Sequence, residues 1–414
     1  MKIVFIQPKG CSFAEGHLWE PVSFGYLISY AKEFHPDYQY KVMSAGFYKD
    51  TEILEECKDA DLVCFTATTP QMYHAKELAD KIKTKKVFGG VHPTISTKDA
   101  FAAGADIVVQ GEGEIAFRKI LDSLSRGKSP KKIYKEPFIE NLDSLPFPDR
   151  KAIHQEKYLQ ITERNDGMKI ASITSSRGCP HQCTFCTSRA IWGGKTRFRS
   201  AINIIMELSQ LISEWNIDFL KFNDDTFTLD RKRVIEFCEM KKGYQMDVPW
   251  ACNARVNTLD EELLQIMKDA GCVELWLGVE SGSERILKVL KKGITKDQVR
   301  KVFKAAKKVG IRTRGYFMIG NETETLAEIQ ETINFVQELD PDIVGISINT
   351  PFPGSERWKT MEDDINWKNV DLYRDAEKEG EKVWGNENIS GAKLKQIQKE
   401  MLDKFKDKLI FRLK

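Results

Sequence analysis

The feature that most constrains the fold is an alternation, along most of the chain, of apolar runs of strand length with stretches of helical periodicity. In the first 125 residues the apolar runs lie at 2–6, 40–45, 61–66, 86–89 and 106–109, and the helical stretches at 22–34, 50–58, 71–83, 98–103 and 114–125. Such alternation is typical of a parallel sheet covered by helices on both faces. We therefore predict a five-stranded, doubly wound α/β domain at the amino terminus.

A second α/β series begins near residue 169. Its predicted strands lie near 170–174, 218–222, 248–252, 273–279, 312–319 and 343–349, with amphipathic helices near 200–214, 230–241, 259–270, 283–291, 296–309 and 324–338. Six strand–helix units predict a partial (β/α)6 barrel, whose active face lies at the carboxyl ends of the strands.

A stretch without strand or helix periodicity separates the two series. A basic stretch, RGKSPKK, and then three prolines indicate a linker, so the predicted parts are a doubly wound domain (1–126), a linker (127–168), a partial barrel (169–355) and a helical carboxyl-terminal extension (356–414). In the extension, Leu394, Ile397, Met401, Phe405 and Leu409 follow helical spacing. We interpret this helix as packing on the barrel, and a lipid-facing helix is the alternative.

Composition excludes several classes of protein. The 63 basic and 61 acidic residues give a net charge of +2, so no overall field recruits nucleic acid or an anionic surface. A hydrophobic content of 41% excludes intrinsic disorder, and no apolar run is long enough to span a bilayer. Three of the nine cysteines fall within eight residues, which favours one thiolate site in a reducing, cytoplasmic compartment over a disulfide framework.

That cysteine cluster lies in the loop after the first barrel strand, as Cys179, Cys183 and Cys186 in a CxxxCxxC spacing. Three thiolates on one loop can ligate three corners of a cubane iron–sulfur cluster and leave one iron open to another ligand. The alternatives are a structural zinc site with His181 as its fourth ligand and a coincidence of buried cysteines. Zinc usually takes pairs of cysteines from two separate knuckles, and here there is one cluster.

With this spacing and Phe185 before the last cysteine, the chain resembles the radical S-adenosylmethionine (SAM) superfamily, and in particular the subgroup with an amino-terminal cobalamin-binding domain. The resemblance covers roughly residues 1–355. Besides the cysteine loop, it rests on six ordered pieces, namely Gly89–Thr94, Gly111–Glu114, Leu145–Asp149, Phe222–Phe227, Gly278–Gly282 and Thr350–Gly354.

The resemblance implies a 4Fe-4S cluster on the three cysteines, with SAM chelated to its open iron. The SAM-binding residues that it implies are Phe185, Asn223, Asp224, Asp225, Arg255, Glu280, Ser281, Thr350, Pro351 and Phe352. For the two aspartates the alternative role is a helix N-cap, and for Arg255 it is a surface ion pair.

The same resemblance implies that the first, Rossmann-like domain binds cobalamin. The chain has no GxGxxG or GxxxxGK[ST] motif, so the sequence signals for binding a dinucleotide or a nucleoside triphosphate are missing. The implied cobalamin-binding residues are Gln7, Pro8, Thr68, Thr69, Gly89, Gly90, His92, Pro93, Gly111, Glu112 and Gly113. The DxHxxG motif, which supplies a cobalt ligand in many cobalamin proteins, is absent. We therefore expect His92 to stabilise a turn rather than to bind cobalt.

The resemblance implies a cobalamin-dependent enzyme. It would cleave SAM reductively to a 5′-deoxyadenosyl radical, abstract a hydrogen atom and transfer a methyl group from methylcobalamin to an unactivated carbon. The alternatives are cyclisation, rearrangement or carbon–carbon coupling by the same architecture without methyl transfer, and, from another class, a non-catalytic binding protein. The implied partners are a small-molecule or peptide substrate and an external one-electron reductant such as flavodoxin or ferredoxin. Neither nucleic acid nor membrane contact is expected.

Four residues are candidate substrate contacts by position alone: Arg314, Tyr316, Asn349 and Tyr373. Arg314 and Tyr316 lie on one face of a strand, because side chains alternate along it. Ordinary packing inside the barrel is the favoured alternative for this pair.

Overall fold

The computed structural model describes residues 1–10, 20–359 and 384–409, and the fold within these ranges consists of two compact units. The first unit contains residues 1–161, and the second contains Thr162–Trp358 and the helix near the carboxyl terminus. In the described ranges, no helix is both long and apolar enough to cross a membrane.

The first unit is built on a six-stranded parallel sheet with the order β2-β1-β3-β4-β5-β6. Its strands are β1 (Lys2–Gln7), β2 (Gln39–Ser44), β3 (Leu62–Thr66), β4 (Lys86–Gly89), β5 (Ile107–Gln110) and β6 (Ile133–Lys135). Its helices are α1 (Val22–Lys32), α2 (Asp50–Glu56), α3 (Met72–Ala79), α4 (Val91–Ile95), α5 (Thr97–Ala102) and α6 (Glu114–Ser125), followed by α7 (Gln155–Asp166), which continues into the second unit.

Side chains of the first sheet alternate between two cores. Ile3 and Phe5 of β1 contribute to one hydrophobic cluster, whereas Val4 and Ile6 contribute to the other. All four residues are fully buried, as expected for a parallel strand covered on both faces. The predicted doubly wound domain is confirmed.

One strand of this sheet lies in the stretch that the sequence indicated to be a linker. Strand β6 pairs with β5 in the register Val108↔Ile133, Val109↔Tyr134 and Gln110↔Lys135. Only Tyr134 of its three residues is buried, so the segment lacks the apolar run that marked the other five strands. The sheet therefore has six strands rather than the predicted five.

The second unit is built on another six-stranded parallel sheet, in which neighbours in sequence are neighbours in space, with the order β7-β10-β11-β12-β13-β14. Its strands are β7 (Ile170–Ile173), β10 (Phe219–Phe222), β11 (Trp250–Ala254), β12 (Cys272–Glu280), β13 (Arg312–Ile319) and β14 (Ile343–Ile348). A short antiparallel pair, β8 (Ser176–Arg177) and β9 (Arg197–Phe198), stands apart from this sheet. An open parallel sheet without order reversal is the predicted partial barrel, which is confirmed.

Helices follow the strands of the second sheet, and polar side chains mark where most of them begin. They are α8 (Ser188–Trp192), α9 (Ala201–Trp215), α10 (Arg231–Gly243), α11 (Glu261–Asp269), α12 (Glu284–Val289), α13 (Lys296–Val309), α14 (Leu326–Leu339), α15 (Glu356–Lys359) and α16 (Gly391–Lys404). Ser200, Asp230 and Thr295 each accept a hydrogen bond from the backbone N–H three residues on, which caps α9, α10 and α13. Helix α16 buries Leu394, Ile397 and Met401, as the helical spacing in the carboxyl-terminal extension predicted.

Candidate active site

The cysteine loop is closed by the β8–β9 pair. Ser176 pairs with Phe198 and Arg177 with Arg197, so the cysteine loop begins and ends at this two-stranded pair. Gly178 takes a φ of +97°, and a Cβ at this position would collide with the carbonyl oxygen of Lys195. Glycine is therefore required where the chain turns towards the first cysteine.

Each cysteine sulfur has one N–H donor. The backbone N–H of His181 donates to the Cys179 sulfur, and the backbone N–H of Ser188 donates to Cys186 Sγ at 3.5 Å. The third donor is a side chain, because Arg255 Nη1 lies 3.6 Å from Cys183 Sγ. Such donors favour the thiolate over the thiol, so the three sulfurs fit the anionic ligands of an iron–sulfur cluster.

Burial raises the pKa of the Cys179 thiol above its ordinary value. Burial also lowers the pKa of His181 to about 4, and the nearby cations of Arg255 and Lys292 lower it further. His181 is therefore neutral at neutral pH.

The zinc alternative requires several ligands around a single ion. In residues 1–10, 20–359 and 384–409, no three His, Cys, Asp or Glu side chains are grouped closely enough to hold one. Three thiolates on one loop are the donor set of a cubane cluster with one open iron.

Asp224 and Asp225, which end β10, have different environments. Asp224 is 1% exposed and accepts hydrogen bonds from Ser175 N (2.6 Å), Ser175 Oγ (2.5 Å) and Ser176 Oγ (2.7 Å), with Arg233 Nη2 at 3.7 Å. These contacts tie the Asp224 carboxylate into the fold.

Asp225 accepts a hydrogen bond from Ser188 Oγ at 2.5 Å, and burial raises the pKa of its carboxyl group. It also lies near enough to Cys179 and Cys186 to act on them electrostatically. Asn223, the residue before Asp224, donates its backbone N–H to Ile173 O. Of the three residues that the resemblance assigned to SAM here, Asp225 is therefore the one whose charge acts on Cys179 and Cys186.

Glu280, at the end of β12, forms a buried ion pair that the sequence analysis missed. It accepts a hydrogen bond from Lys292 Nζ at 2.7 Å, and its φ is +70°. Lys292 also lies with its ammonium 5.8 Å from the ring centroid of Phe185. No local motif marks Lys292, because strand and loop geometry brings it to Glu280 from twelve residues away.

The other residues predicted to bind SAM pack against, or form hydrogen bonds with, other residues of the chain. Phe185 packs against Ile286, Leu290 and Met318. The Ser281 hydroxyl lies 3.2 Å from that of Thr332. The Thr350 hydroxyl donates to Ile348 O at 3.3 Å, Pro351 is buried, and Phe352 is half-buried. Among these five residues, the Phe185 ring lies beside the ammonium of Lys292.

The predicted substrate residues do not form one group. Arg314 donates from Nε to Glu274 Oε1 at 3.1 Å and lies with its guanidinium 5.0 Å from the ring centroid of Trp276. Tyr316 follows on the same face and interacts with Arg314. These contacts are those of packing inside the barrel, the alternative already favoured for this pair.

The remaining two candidates lie apart from Arg314. Asn349 is buried, and its side-chain amide donates to Asn321 Oδ1 at 3.0 Å. Tyr373 lies outside the described residues. The sequence analysis missed Glu274 and Trp276, which the β12–β13 register Glu274↔Arg312 and Trp276↔Arg314 brings beside the predicted pair.

In the first unit, the predicted cobalamin residues lie at the carboxyl ends of the strands. The order of the sheet reverses between β1 and β3, and ligands of doubly wound sheets bind at such a switch point. Pro8 and Thr68 follow these two strands; Thr68 is exposed, and the Pro8 carbonyl accepts from Gln71 Nε2 at 3.0 Å. Gly90 has a φ of +94°, and a Cβ there would lie 2.6 Å from Thr66 Oγ1.

Several of the side chains predicted to bind cobalamin make polar contacts within the protein. Gln7 Oε1 accepts from Ser44 Oγ at 2.8 Å and from Tyr158 Oη at 3.1 Å, and Glu112 Oε2 accepts from Ile139 N at 2.7 Å. His92 is 0% exposed, with Nδ1 3.1 Å from Thr69 Oγ1 and Nε2 3.4 Å from Asp99 Oδ2. The geometry of His92 suits the turn-stabilising role that we expected.

The glycines of the set leave room at this edge. Gly89, Gly111 and Gly113 are half-buried, and Pro93 is buried beside His92. A ligand with a broad flat face needs backbone rather than large side chains along the contact, so the edge fits such a group.

Two family models match the chain. The model for the radical SAM superfamily matches residues 173–336, and the model for the B12 binding domain matches residues 20–121. The chain is similar to the uncharacterized methyltransferase PH0819 of Pyrococcus horikoshii, with 35% identity over 388 residues that cover 87% of this chain and 83% of that protein. It is also similar to the anaerobic magnesium-protoporphyrin IX monomethyl ester cyclase of Rubrivivax gelatinosus, with 28% identity over 90% of this chain and 72% of that protein.

Among solved structures, the chain is similar to the radical SAM methyltransferase TsrM from Kitasatospora setae with cobalamin and a [4Fe-4S] cluster bound. The TM-score is 0.73 at 16% identity, over 88% of this chain and 78% of that one. The cobalamin-dependent SAM radical enzyme OxsB matches with a TM-score of 0.68 at 18% identity, over 89% of this chain and 56% of that one. These two likenesses support the fold, a doubly wound domain followed by a partial barrel.

Proposed function

Since this chain belongs to the radical SAM superfamily and carries a B12 binding domain before the barrel, we propose that it transfers a methyl group from cobalamin to an unactivated carbon of a small-molecule or peptide substrate. The chain is a radical SAM enzyme of the methyltransferase-like kind. Its cofactors are a 4Fe-4S cluster, SAM and cobalamin. The hydrogen abstraction and the transfer to carbon are the proposed part.

The observation that carries the proposal is the set of three cysteine sulfurs, each with one N–H donor, on a loop at the carboxyl end of the barrel. We assign Cys179, Cys183 and Cys186 as the cluster ligands. When bound, the cluster and SAM supply an organic radical that can remove hydrogen from an unactivated carbon, and cobalamin supplies the methyl group. The chain itself has to bind, orient and shield these groups.

The residues around the cysteines suit these tasks. Asp225 presents a carboxylate near Cys179 and Cys186, where it can hold an ammonium group such as that of SAM. Glu280 binds Lys292 through Oε1, and we propose its second carboxylate oxygen as an acceptor for hydroxyl groups, with the Phe185 ring beside the Lys292 ammonium. In the first unit we propose the backbone around Gly89, Gly90, Gly111 and Gly113 as the bed for cobalamin.

Product analysis by mass spectrometry tests this function. The chain is reconstituted anaerobically with iron and sulfide and is then given reductant and SAM carrying a labelled methyl group, with and without cobalamin. We expect 5′-deoxyadenosine in both reactions and S-adenosylhomocysteine only with cobalamin, with the label recovered on cobalamin. Deoxyadenosine without any cobalamin-dependent S-adenosylhomocysteine would contradict methyl transfer.

A matched pair of cysteine variants shows whether the cluster site is the proposed one. Cys186→Ala should lose bound iron and deoxyadenosine formation. Cys238→Ala should keep both, because Cys238 is a buried residue of α10 and is no proposed ligand. Equal iron content in the two variants would contradict the assignment.

Cyclisation or coupling without methyl transfer is a second candidate. The supporting observation is the similarity to a protein named as a magnesium-protoporphyrin IX monomethyl ester cyclase, which extends over 90% of this chain. The same assay separates the two, because a cyclising enzyme forms no S-adenosylhomocysteine. For either function we propose an external one-electron donor such as flavodoxin or ferredoxin.

A further inference from the structure

The guanidinium of Arg255 is buried beside the cysteine loop without a carboxylate partner. Arg255 is 6% exposed; its Nε donates to Asn257 Oδ1 at 3.3 Å, Nη1 to Cys183 Sγ at 3.6 Å, and Nη2 to the carbonyl oxygen of Lys292. Within the described part of the chain, none of its ion pairs or hydrogen bonds involves an Asp or Glu oxygen. A buried charge without a counter-ion is costly, so this site calls for an anion.

Three other buried arginines of the protein pair with a carboxylate. Arg150 lies 3.2 Å from Glu20, Arg233 lies 3.7 Å from Asp224, and Arg199 pairs with Glu207. Arg255, in contrast, lies against the sulfur of Cys183 where the other three arginines have a carboxylate. Its missing counter-ion is therefore the anion that forms at Cys183.

We propose that Arg255 sets the reduction potential of the 4Fe-4S cluster by stabilising the reduced form through its N–H···S bond to Cys183. This inference rests on the cluster site of the proposed function. Of the three N–H donors to the cysteine sulfurs, two are backbone groups, which do not depend on the type of side chain. The third is the guanidinium of Arg255, and it is the one that carries a charge. Reduction potentials of such clusters follow net charge, hydrogen bonds to sulfur and solvent exposure.

The sign of the effect follows from charge. Each electron added to the cluster increases its negative charge, and a nearby buried cation stabilises that charge strongly because little water screens it. Removal of the cation therefore makes reduction harder and lowers the potential. A role confined to holding the SAM carboxylate, which the family resemblance implied for Arg255, would not change the potential of the cluster without SAM.

The test is a redox titration of the SAM-free cluster, monitored by electron paramagnetic resonance, in the reconstituted full chain. We expect Arg255→Gln to lower the reduced-to-oxidised ratio at fixed potential by about tenfold, which corresponds to ~59 mV for one electron. Arg255→Lys keeps the charge and should lie closer to the wild type. Arg300→Gln is the control, because it removes one exposed arginine that pairs with Glu338 on the outer helices.

A second variant keeps Arg255 and compensates its charge. Asn257 is exposed and accepts from Arg255 Nε, so Asn257→Asp gives the guanidinium a carboxylate with little change of shape. We expect Asn257→Asp to lower the potential in the same direction as Arg255→Gln. An unchanged potential in Asn257→Asp, or in an Arg255→Gln variant that retains its iron, would overturn the inference. Failure of the wild-type chain to hold a cluster would instead contradict the proposed function.

Discussion

Neutralising Asp224 should destabilise the second unit strongly, because its carboxylate is part of the fold. In Asp224→Asn the side chain keeps its shape but has one acceptor oxygen in place of two. Oδ2 accepts from both Ser175 Oγ and Ser176 Oγ, and an amide NH2 in its place would face two hydroxyl donors.

The size of the loss follows from these contacts. Hydrogen bonds to a charged group contribute roughly 1.5–3 kcal/mol each, and leaving the buried Arg233 without its carboxylate costs about 3–5 kcal/mol. The two figures describe overlapping interactions and do not add. Because the hydroxyl groups can turn to accept from the amide, we expect a loss near the lower end, about 3 kcal/mol.

Urea unfolding of the cluster-free chain, followed by tryptophan fluorescence, measures this loss. Six of the eight tryptophans belong to the second unit, so the signal reports mainly on that unit. Asp225→Asn is the matched control. Burial already raises the pKa of Asp225, so its charged form is unfavourable in the fold, and its neutralisation should leave stability unchanged or slightly higher. An Asp224→Asn chain as stable as the wild type but weaker in SAM binding would refute this reasoning and return Asp224 to the cofactor site.

Three further predictions concern other parts of the molecule. Arg285 holds the pKa of Glu328 at about 2, below its ordinary value, so this carboxylate should stabilise the fold above about pH 4.5 by about 1 kcal/mol and lose that contribution as the pH falls towards 2. The urea midpoint of Glu328→Gln should therefore lie below that of the wild type at pH 7, and the two midpoints should converge as the pH falls towards about 2. Gly90→Ala should cost about 1–3 kcal/mol by thermal unfolding and weaken cobalamin binding in an absorbance titration, because its φ of +94° suits only glycine. Lys292→Met should lower the free energy of unfolding by about 3–5 kcal/mol, because it leaves Glu280 buried without its cation. In urea unfolding, the double variant Lys292→Met/Glu280→Gln should lose less than Lys292→Met alone. Equal losses in the single and double variants would exclude the coupling between the two side chains.

The sequence predicted the two sheets because apolar runs and helical periods are local signals. It predicted the cysteine loop for the same reason, since all three ligands lie within eight residues. Strand β6 was not predicted, because only one of its residues, Tyr134, is buried. Its conformation comes from pairing with β5 and not from a local apolar pattern.

The details of the site depend on contacts between distant residues, which local patterns do not contain. Lys292 meets Glu280 through the loop after α12, and Trp276 meets Arg314 through strand register. Asp224 and Asp225 are alike in sequence, and only the positions of Ser175, Ser176 and Ser188 distinguish the carboxylate that belongs to the fold from the one near the cysteines.

The sixth strand of the first sheet decides where this protein can be cut. A fragment ending at residue 126 would lack β6 and uncover the backbone N–H and C=O groups of β5, a row of unpaired groups that invites other chains to add as strands. It would also lack Tyr158, which donates to Gln7 in the core. Such a fragment should aggregate on expression, whereas one that keeps these residues should remain dispersed. A fragment of the first unit should therefore end beyond the basic, proline-containing stretch.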